Sequence, residues 1–353
     1  MYNFFPEAGS SLSKYAGDMD RIASEWYGGP PGFLLSLEMI FHEFPDLVWL
    51  KGQISRGFSD RRGWGGHILE KEGFPSVIIH TESKGCYRPD IKGPLSFFVN
   101  LRGSSLCTVE GETRRIGEGC YFISNQAQPY TLQIEEGDET ETFNIHLGDY
   151  FSSSTLHSLV TPVDVILDNG KEHALPPVEF FNQLYRRDAV FERLIGRIIQ
   201  GYREQGYNKL LFEEQLTDLL SYQLRQQEHI ARAVQKLPSV RAATRVQLYK
   251  QLSRAMDVIH ASPDGAVGLE ELAVEAYLSK YHFLRLFRMA YGYSPYQYMQ
   301  RLRIEKACAI LSGTDTPVFE LADLLGFRDS QSFTRLFTQR MGVSPTGWRA
   351  MVK

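Results

Sequence analysis

The sequence lacks any hydrophobic run long enough to cross a membrane. A transmembrane helix needs about 20 consecutive apolar residues, and the longest apolar-rich stretch here, residues 33–50, is broken by charged residues, a histidine and a proline: Glu38, His42, Glu43, Pro45 and Asp46. The first nine residues also lack the basic start and apolar core of a secretory signal peptide. We therefore expect a cytoplasmic protein without membrane contact.

Paired cysteines and paired histidines are missing as well. The four cysteines, Cys86, Cys107, Cys120 and Cys308, form no Cys-x-x-Cys pair, and no close pair of histidines accompanies them. This spacing argues against both a zinc site and a disulfide framework, and free thiols in a reducing compartment are the simpler interpretation. We expect neither a metal nor a cofactor.

Length and charge indicate more than one domain. A chain of 353 residues exceeds one typical domain. The net charge of −4 is unevenly divided, because residues 245–353 hold more basic than acidic side chains and the preceding residues hold more acidic than basic ones. A basic end on an acidic body is typical of a DNA-binding module joined to another domain.

Residues 268–349 contain a tandem repeat. The second copy follows the first at an offset of about 50 residues, with one residue added in its turn, and both copies end in a Gly-x-Ser-Pro sequence. The first copy carries Leu269, Leu272, Ala273, Ala276, Phe283, Leu286, Phe287 and 292–295, and the second carries Val318, Leu321, Ala322, Leu325, Phe333, Leu336, Phe337 and 342–345. Apolar residues at i, i+3, i+4 and i+7 predict two short amphipathic helices in each copy. Two such helices around a tight turn are typical of a helix-turn-helix unit.

The second helix of each copy leaves polar side chains outside the core. In the first copy these are Lys280, Tyr281, Leu284, Arg285 and Arg288, and in the second Ser330, Gln331, Thr334, Arg335 and Thr338. Arginine can bind guanine as a fork and glutamine can pair with adenine, while lysine near a helix start can contact phosphate. We interpret Arg285 and Arg335 as direct base contacts, Lys280 and Arg288 as contacts closer to phosphate, and the others as neighbours in the same interface.

This segment resembles the DNA-binding domain of the AraC/XylS family of bacterial transcription regulators. The resemblance covers roughly residues 245–351 and is carried by 269–292, 301–307, 321–327, 333–337 and 342–345. It implies that both recognition helices enter successive major-groove segments about 34 Å apart, with a footprint of ~20 bp. It also implies gene activation as the usual mode, with RNA polymerase as a partner. One departure is Tyr277, where the family often has a small turn residue.

Before this domain the pattern changes to a period of two. Short strand-like runs at 76–80, 95–101, 105–109, 120–124, 130–134 and 142–147 predict a β-sandwich or small barrel. Its place ahead of the repeat resembles the cupin-like effector domain of AraC-type regulators. On the last strand Thr142, Asn144 and His146 share one face, so a polar interior could hold a small effector. The candidate effector residues are Asn100, Arg102, Tyr121, Tyr130, Asn144 and His146.

Helical spacing returns at residues 178–234. Two apolar stripes, from Val178 to Ile199 and from Leu211 to Leu224, predict two amphipathic helices. In the family such helices commonly form the dimer contact, which implies a homodimer. The predicted architecture is a multidomain α and β chain: an extension of unclear role (1–72), a cupin-like β domain (73–177), a helical dimerisation region (178–234), a linker (235–246) and an all-α domain with two helix-turn-helix units (247–353).

Three functions fit these features. The first is a transcription regulator that responds to a small effector. The second is a metal-dependent cupin enzyme fused to a DNA-binding domain, although His80 and His146 stand alone and supply no His-x-His pair, so no catalytic residue is predicted. The third is a regulator that acts through protein contacts without an effector. Metal analysis and thermal shifts across a metabolite panel separate them.

Overall fold

The computed structural model describes residues 39–44, 76–161, 178–205, 208–261 and 267–352. Most of the predicted extension 1–72, including its glycine-rich stretches, lies outside the described residues, as does 162–177 at the end of the predicted β domain. The chain divides into two compact units. The first contains residues 1–112 and 124–179, and the second contains 113–123 and 180–353.

The first unit contains strands of two sheets. Four strands lie in the order β1 (Met39–Phe41), β2 (Val77–Ser83), β9 (Thr140–Leu147) and β4 (Leu95–Arg102). Three others lie in the order β3 (Cys86–Lys92), β8 (Pro129–Ile134) and β5 (Ser105–Val109). Helix α1 (Asp149–Val160) follows β9. The predicted strands of this unit are confirmed, whereas β1, β3 and α1 were not expected.

The register of β9 decides which side chains point between the sheets. His146 lies opposite Ser96 of β4 and Val77 of β2, so these residues share a face with Asn144 and Thr142. On the same face Phe98 contacts Tyr130 of the other sheet, with ring centroids 4.9 Å apart. The polar face of β9 therefore points into the sandwich, while Phe143 and Ile145 are buried on its other side.

The second unit begins with a segment from the middle of the β region. This segment carries most of strand β6 (Glu112–Ile116) and of strand β7 (Cys120–Ser124), and β7 pairs antiparallel with β10 (Leu184–Arg186). The sequence predicted a helix starting at residue 178, and this is wrong for 184–186. The residues pair with β7, and Asp188 accepts hydrogen bonds from the Val190 and Phe191 amides so that the helix starts later.

Two long helices follow. Helix α2 (Ala189–Gln205) and helix α3 (Lys209–Gln235) pack against each other. Their apolar stripes match the predicted ones, and they are buried within this chain: Phe191, Ile195 and Ile198 on α2, and Phe212, Leu216, Leu219 and Leu220 on α3. The two helices are confirmed, but their apolar stripes are buried inside a single copy of the chain.

The C-terminal part is entirely helical. Only residues 236–241 separate α3 from α4 (Ala242–Ala261), so the connection is shorter than the predicted linker. The remaining helices are α5 (Leu269–Glu275), α6 (Lys280–Tyr291), α7 (Pro295–Gly313), α8 (Val318–Leu324), α9 (Ser330–Met341) and α10 (Pro345–Val352). The predicted order of a β-sandwich followed by helices and two helix-turn-helix units is confirmed. Within the described ranges no helix is both long and apolar enough to span a membrane.

Candidate nucleic-acid interface

The second helix of the first repeat, α6, is held by caps at both ends. The Ser279 side chain accepts a hydrogen bond from the His282 amide, and the helix stops at Gly292, whose φ of 78° is the left-handed conformation that glycine adopts at low cost. Phe283, Leu286 and Phe287 are fully buried along one face. Caps and core therefore fix the helix while its other face stays open.

Helix α9 repeats this construction in the second copy. Asp329 caps it by accepting a hydrogen bond of 2.6 Å from the Ser332 amide, and this bond lowers the pKa of the Asp329 carboxyl. Phe333 and Phe337 are buried in a core that α7 and α8 also build, and Gly342 ends the helix with a φ of 77°. The two reader helices, α6 and α9, are therefore fixed in the same way at both ends and along their buried faces.

The turns before the two reader helices contain the same backbone hydrogen bond. The Leu278 amide donates to the Ala273 carbonyl, and the Phe327 amide donates to the Ala322 carbonyl, both at 3.0 Å. Tyr277 and Gly326 both adopt positive φ, 52° and 68°, so the first turn keeps its geometry despite the tyrosine. The helix caps then fall at Ser279 and Asp329, which identifies Arg328 as the residue added in the second copy.

The open face of α6 carries the predicted cationic stripe. Lys280, Tyr281, Arg285 and Arg288 are exposed, and Leu284 is partly buried beside them. Lys280 donates to the Glu270 carboxylate, which lies in α5. Over the part of the chain that the structure describes, Arg285 and Arg288 have no ion-pair partner, so both guanidinium groups remain available to an anion.

The open face of α9 borders a shallow groove of about 560 Å³. Its lining comprises all five side chains expected on the open face of this copy together with one further residue: Ser330, Gln331, Thr334, Arg335, Thr338 and Gln339. Gln339 was missed by the sequence reasoning, although its position four residues after Arg335 places it on the same helix face. The second reader therefore presents hydroxyl and amide groups around a single guanidinium.

The candidate effector residues fall into separate environments. His146 and Asn144 face Tyr130 between the sheets of the first unit, as described above. Asn100 shares that interior but is bonded locally, because its amide donates to Ser105 at 2.9 Å. Arg102 is exposed, 3.7 Å from Glu82. Tyr121 belongs to the second unit, where its hydroxyl donates to Gln223 and its ring stacks on Phe191. Arg102 and Tyr121 therefore do not join the others.

Two further polar residues lie in this interior and were missed. Ser96 bonds to the His146 imidazole at 2.8 Å, and Arg88 is buried on β3. Burial, with a smaller contribution from the Arg88 guanidinium, lowers the pKa of His146 to about 4. Burial also raises the pKa of Tyr130. Among the described residues no three His, Cys, Asp or Glu side chains are grouped as a metal site would require.

Comparison with known proteins gives a family match at the repeat and similarity to several regulatory proteins. A family model described as "Helix-turn-helix domain" matches residues 272–351. The MmsAB operon regulatory protein of Pseudomonas aeruginosa is 32% identical over 46% of this chain and 47% of its own length. The transcriptional regulator AlkR of Acinetobacter baylyi is 23% identical over 81% of this chain and 90% of its own length.

A solved structure, the DNA-binding domain of AdpA in complex with a target DNA, is 30% identical over 28% of this chain and 91% of that chain, with a TM-score of 0.27. The chain spans about half the length of the MmsAB operon regulatory protein and about a third of the probable regulator LumQ of Photobacterium leiognathi. Two capped helices behind matching turns agree with the family match, so residues 272–351 of this chain form a helix-turn-helix domain.

Proposed function

We propose that this protein is a sequence-specific DNA-binding transcription regulator that reads two successive major-groove segments with α6 and α9. The observation that supports this most is the repetition of the whole reader: the same turn bond, the same cap position and an exposed arginine at corresponding places, Arg285 and Arg335. An isolated exposed arginine on a helix is usually only solvated. Two of them on duplicated, equally capped helices favour base readout.

The exposed faces of the two reader helices differ in charge, and in this proposal the two helices therefore make different contacts with DNA. Helix α6 adds Arg288 and Lys280 to Arg285, whereas α9 surrounds Arg335 with Gln331 and Thr334. Contacts to phosphate supply affinity that salt weakens, and contacts to base edges supply specificity. In this proposal Arg288 and Lys280 anchor α6 to the backbone, and Gln331 and Thr334 assist Arg335 at the bases.

In-vitro selection of random duplexes by the full-length protein at about 0.15 M salt tests the proposal. We expect a motif with two short blocks one helical turn apart. Arg285→Ala and Arg335→Ala should each relax one block and cost about 1–3 kcal/mol of binding free energy, whereas Arg288→Ala should weaken all sequences alike and reduce the salt slope by about one. Arg193→Ala removes the same charge from an exposed position on α2 and serves as the control. Loss of affinity without any change in the selected motif would reassign Arg285 and Arg335 to phosphate.

The proposal includes activation through RNA polymerase and control by a small effector bound in the β region. An effector can shift DNA binding only by the difference in its affinity for the two states of the protein. Transcription in vitro from a selected site tests the sign of regulation. Stoichiometric iron, manganese or zinc in the purified protein would instead favour the metal-dependent enzyme.

A further inference from the structure

The interior of the first unit contains a buried ring nitrogen without a partner among the described residues. His146 is 7% exposed, and within the part of the chain that the structure describes its Nε2 atom has no hydrogen-bond partner. The other ring nitrogen, Nδ1, lies 2.8 Å from Ser96 Oγ. Leaving a buried polar atom unpaired costs about 1–3 kcal/mol, so such an atom calls for a specific occupant or a water molecule.

The partner of Ser96 determines which nitrogen of His146 carries the proton. Ser96 Oγ also lies 2.8 Å from the Pro94 carbonyl oxygen, to which it can only donate. The single hydroxyl hydrogen is used there, so Nδ1 of His146 must donate to Ser96 Oγ. The imidazole is neutral at physiological pH because burial lowers its pKa to about 4. Nε2 therefore bears a lone pair and requires a donor.

Other groups around this atom define what the donor can be. Tyr130 lies on the facing strand, and Phe98 contacts both rings, with centroids 4.9 Å from Tyr130 and 6.0 Å from His146. Gly93 borders the same place, since a β-carbon there would lie 3.8 Å from the Tyr130 hydroxyl oxygen and 3.9 Å from Ser96 Oγ. The His146 imidazole, the Tyr130 hydroxyl and the Phe98 ring thus lie close to Gly93, which has no side chain.

We propose that this interior binds a small uncharged molecule through a hydroxyl group that donates to His146 Nε2, with Tyr130 bonding a second polar atom and Phe98 covering an apolar part. A carboxylate offers no donor to Nε2 at neutral pH. An ammonium group offers one, but the Arg88 guanidinium acts on the same imidazole and repels a cation. The inference rests on the proposed effector response and gives that effector its chemical class.

Nitrogen-resolved NMR of the histidines in the full-length protein tests the acceptor directly. We expect His146 at pH 7 to be the neutral form protonated at Nδ1, with assignment from the signals lost in His146→Asn. The asparagine amide can replace Nδ1 as the donor to Ser96 but provides nothing at the position of Nε2. A proton found on Nε2 overturns the inference, whatever compounds are tested.

Binding is measured by calorimetry and thermal shift with named probes. Glycerol, erythritol, glucose and catechol form the neutral hydroxyl set, and acetate, benzoate and ethylammonium form the charged set. We expect at least one neutral probe to bind wild-type protein and to lose tenfold or more in affinity in His146→Asn. Gly93→Val, which fills the space beside Tyr130, should also abolish binding.

The matched control is His80→Asn. His80 lies on the same sheet but on its opposite face, where Nε2 bonds to Glu141 at 2.9 Å, so this variant should bind like wild type. Binding of charged probes only, equal binding by all variants, or no binding of any neutral probe overturns the inference. DNA selection proceeds without these probes, so failure here is distinguishable from failure of the proposed DNA reading.

Discussion

Tyr277 adopts a backbone conformation that its side chain disfavours. Its φ is 52° and its ring is 73% exposed, with the Arg254 guanidinium 4.9 Å above it. The corresponding residue of the second copy is Gly326, with a φ of 68°. A left-handed conformation costs a residue with a β-carbon about 1–2 kcal/mol, so the turn is maintained by its surroundings and not by the tyrosine itself.

Exchanging the turn residues should change stability in opposite directions. We expect Tyr277→Gly to stabilise the protein by about 0.5–1 kcal/mol, because the relief of strain exceeds the lost contact with Arg254. Gly326→Ala should destabilise it by about 1 kcal/mol. Urea denaturation of both variants measures the changes. A loss of stability in Tyr277→Gly would show that the contact with Arg254 outweighs the strain.

The buried His146 should make the protein sensitive to acid. Its folded-state pKa of about 4 lies below its ordinary value of 6.5, so its contribution to stability is fully present above pH 6.5 and is lost as pH falls towards 4. We expect this residue alone to lower the free energy of unfolding by about 2 kcal/mol between pH 7.5 and pH 5. Urea denaturation gives the unfolding midpoint of wild type and of His146→Asn at both pH values. The midpoint should change less with pH in the variant than in wild type. An equal change with pH in both proteins would mean that the folded protein accommodates a charged His146 imidazole.

Residue by residue, exposure of the reader contacts was predictable and the effector residues were not. Arg285 and Arg335 follow from helical spacing, because the apolar residues of the same helix identify its buried side. Tyr121 and His146 are both buried on strands, and spacing does not say which sheet or unit each strand joins. Ser96 offered no signal, since a serine in a strand has many roles.

Among the elements, the short strand β10 is tied to the helix that opens the C-terminal part. The Asp257 carboxylate of α4 accepts hydrogen bonds from Arg114 Nε on β6 and from the Leu184 amide of β10, both at 2.7 Å. The side chains of Arg114 and Asp257 are 8% and 11% exposed. His260 of α4 adds bonds to the Leu184 carbonyl and the Tyr298 hydroxyl. Strand β6, strand β10 and helix α4 of the second unit thus share one buried charged pair.

Removing one partner of that pair should be far more costly than removing both charges. We expect Arg114→Met to destabilise by about 3–5 kcal/mol, because it leaves a buried carboxylate uncompensated. Arg114→Met with Asp257→Asn should lose clearly less, since asparagine still accepts from the Leu184 amide. A double-mutant cycle by chemical denaturation measures the coupling. Additive losses would indicate that the two side chains act independently.

Elements with a strong period were predicted, and elements without one were not. The helices of the repeat carry apolar residues at regular intervals and caps at their ends, so their type and order follow from the sequence. The sequence predicts a helix at the position of β10, because Leu184 and Tyr185 fit a helical stripe equally well. Three residues cannot distinguish the two periods, and pairing with β7 made the choice.

At the scale of the whole molecule, helices α2 and α3 bear on the prediction that the chain forms a homodimer. The apolar stripes of α2 and α3 are used inside the chain, while Leu210 on α3 remains 79% exposed. The homodimer remains a prediction. Light scattering at micromolar concentration should give about twice the chain mass of 40.3 kDa, and Leu210→Glu should shift the population towards monomer.

Leu159→Glu is the control for this experiment. Leu159 is an exposed leucine on α1 of the first unit, so the same charge at this position should leave the mass unchanged. A monomer mass for the wild-type chain would contradict the homodimer.

The sequence alone determined the β-to-α order of the chain, the two helix-turn-helix units and the exposed stripe of each reader, because period, caps and turns act over a few residues. Only the tertiary structure decided that the segment 113–123 joins the helical unit, that Arg114 meets Asp257, and that His146 meets Ser96 inside the sandwich while its Nε2 has no partner among the described residues. These contacts join residues 50 to 143 positions apart. Local spacing holds no information on such pairs, since packing of the whole chain selects them.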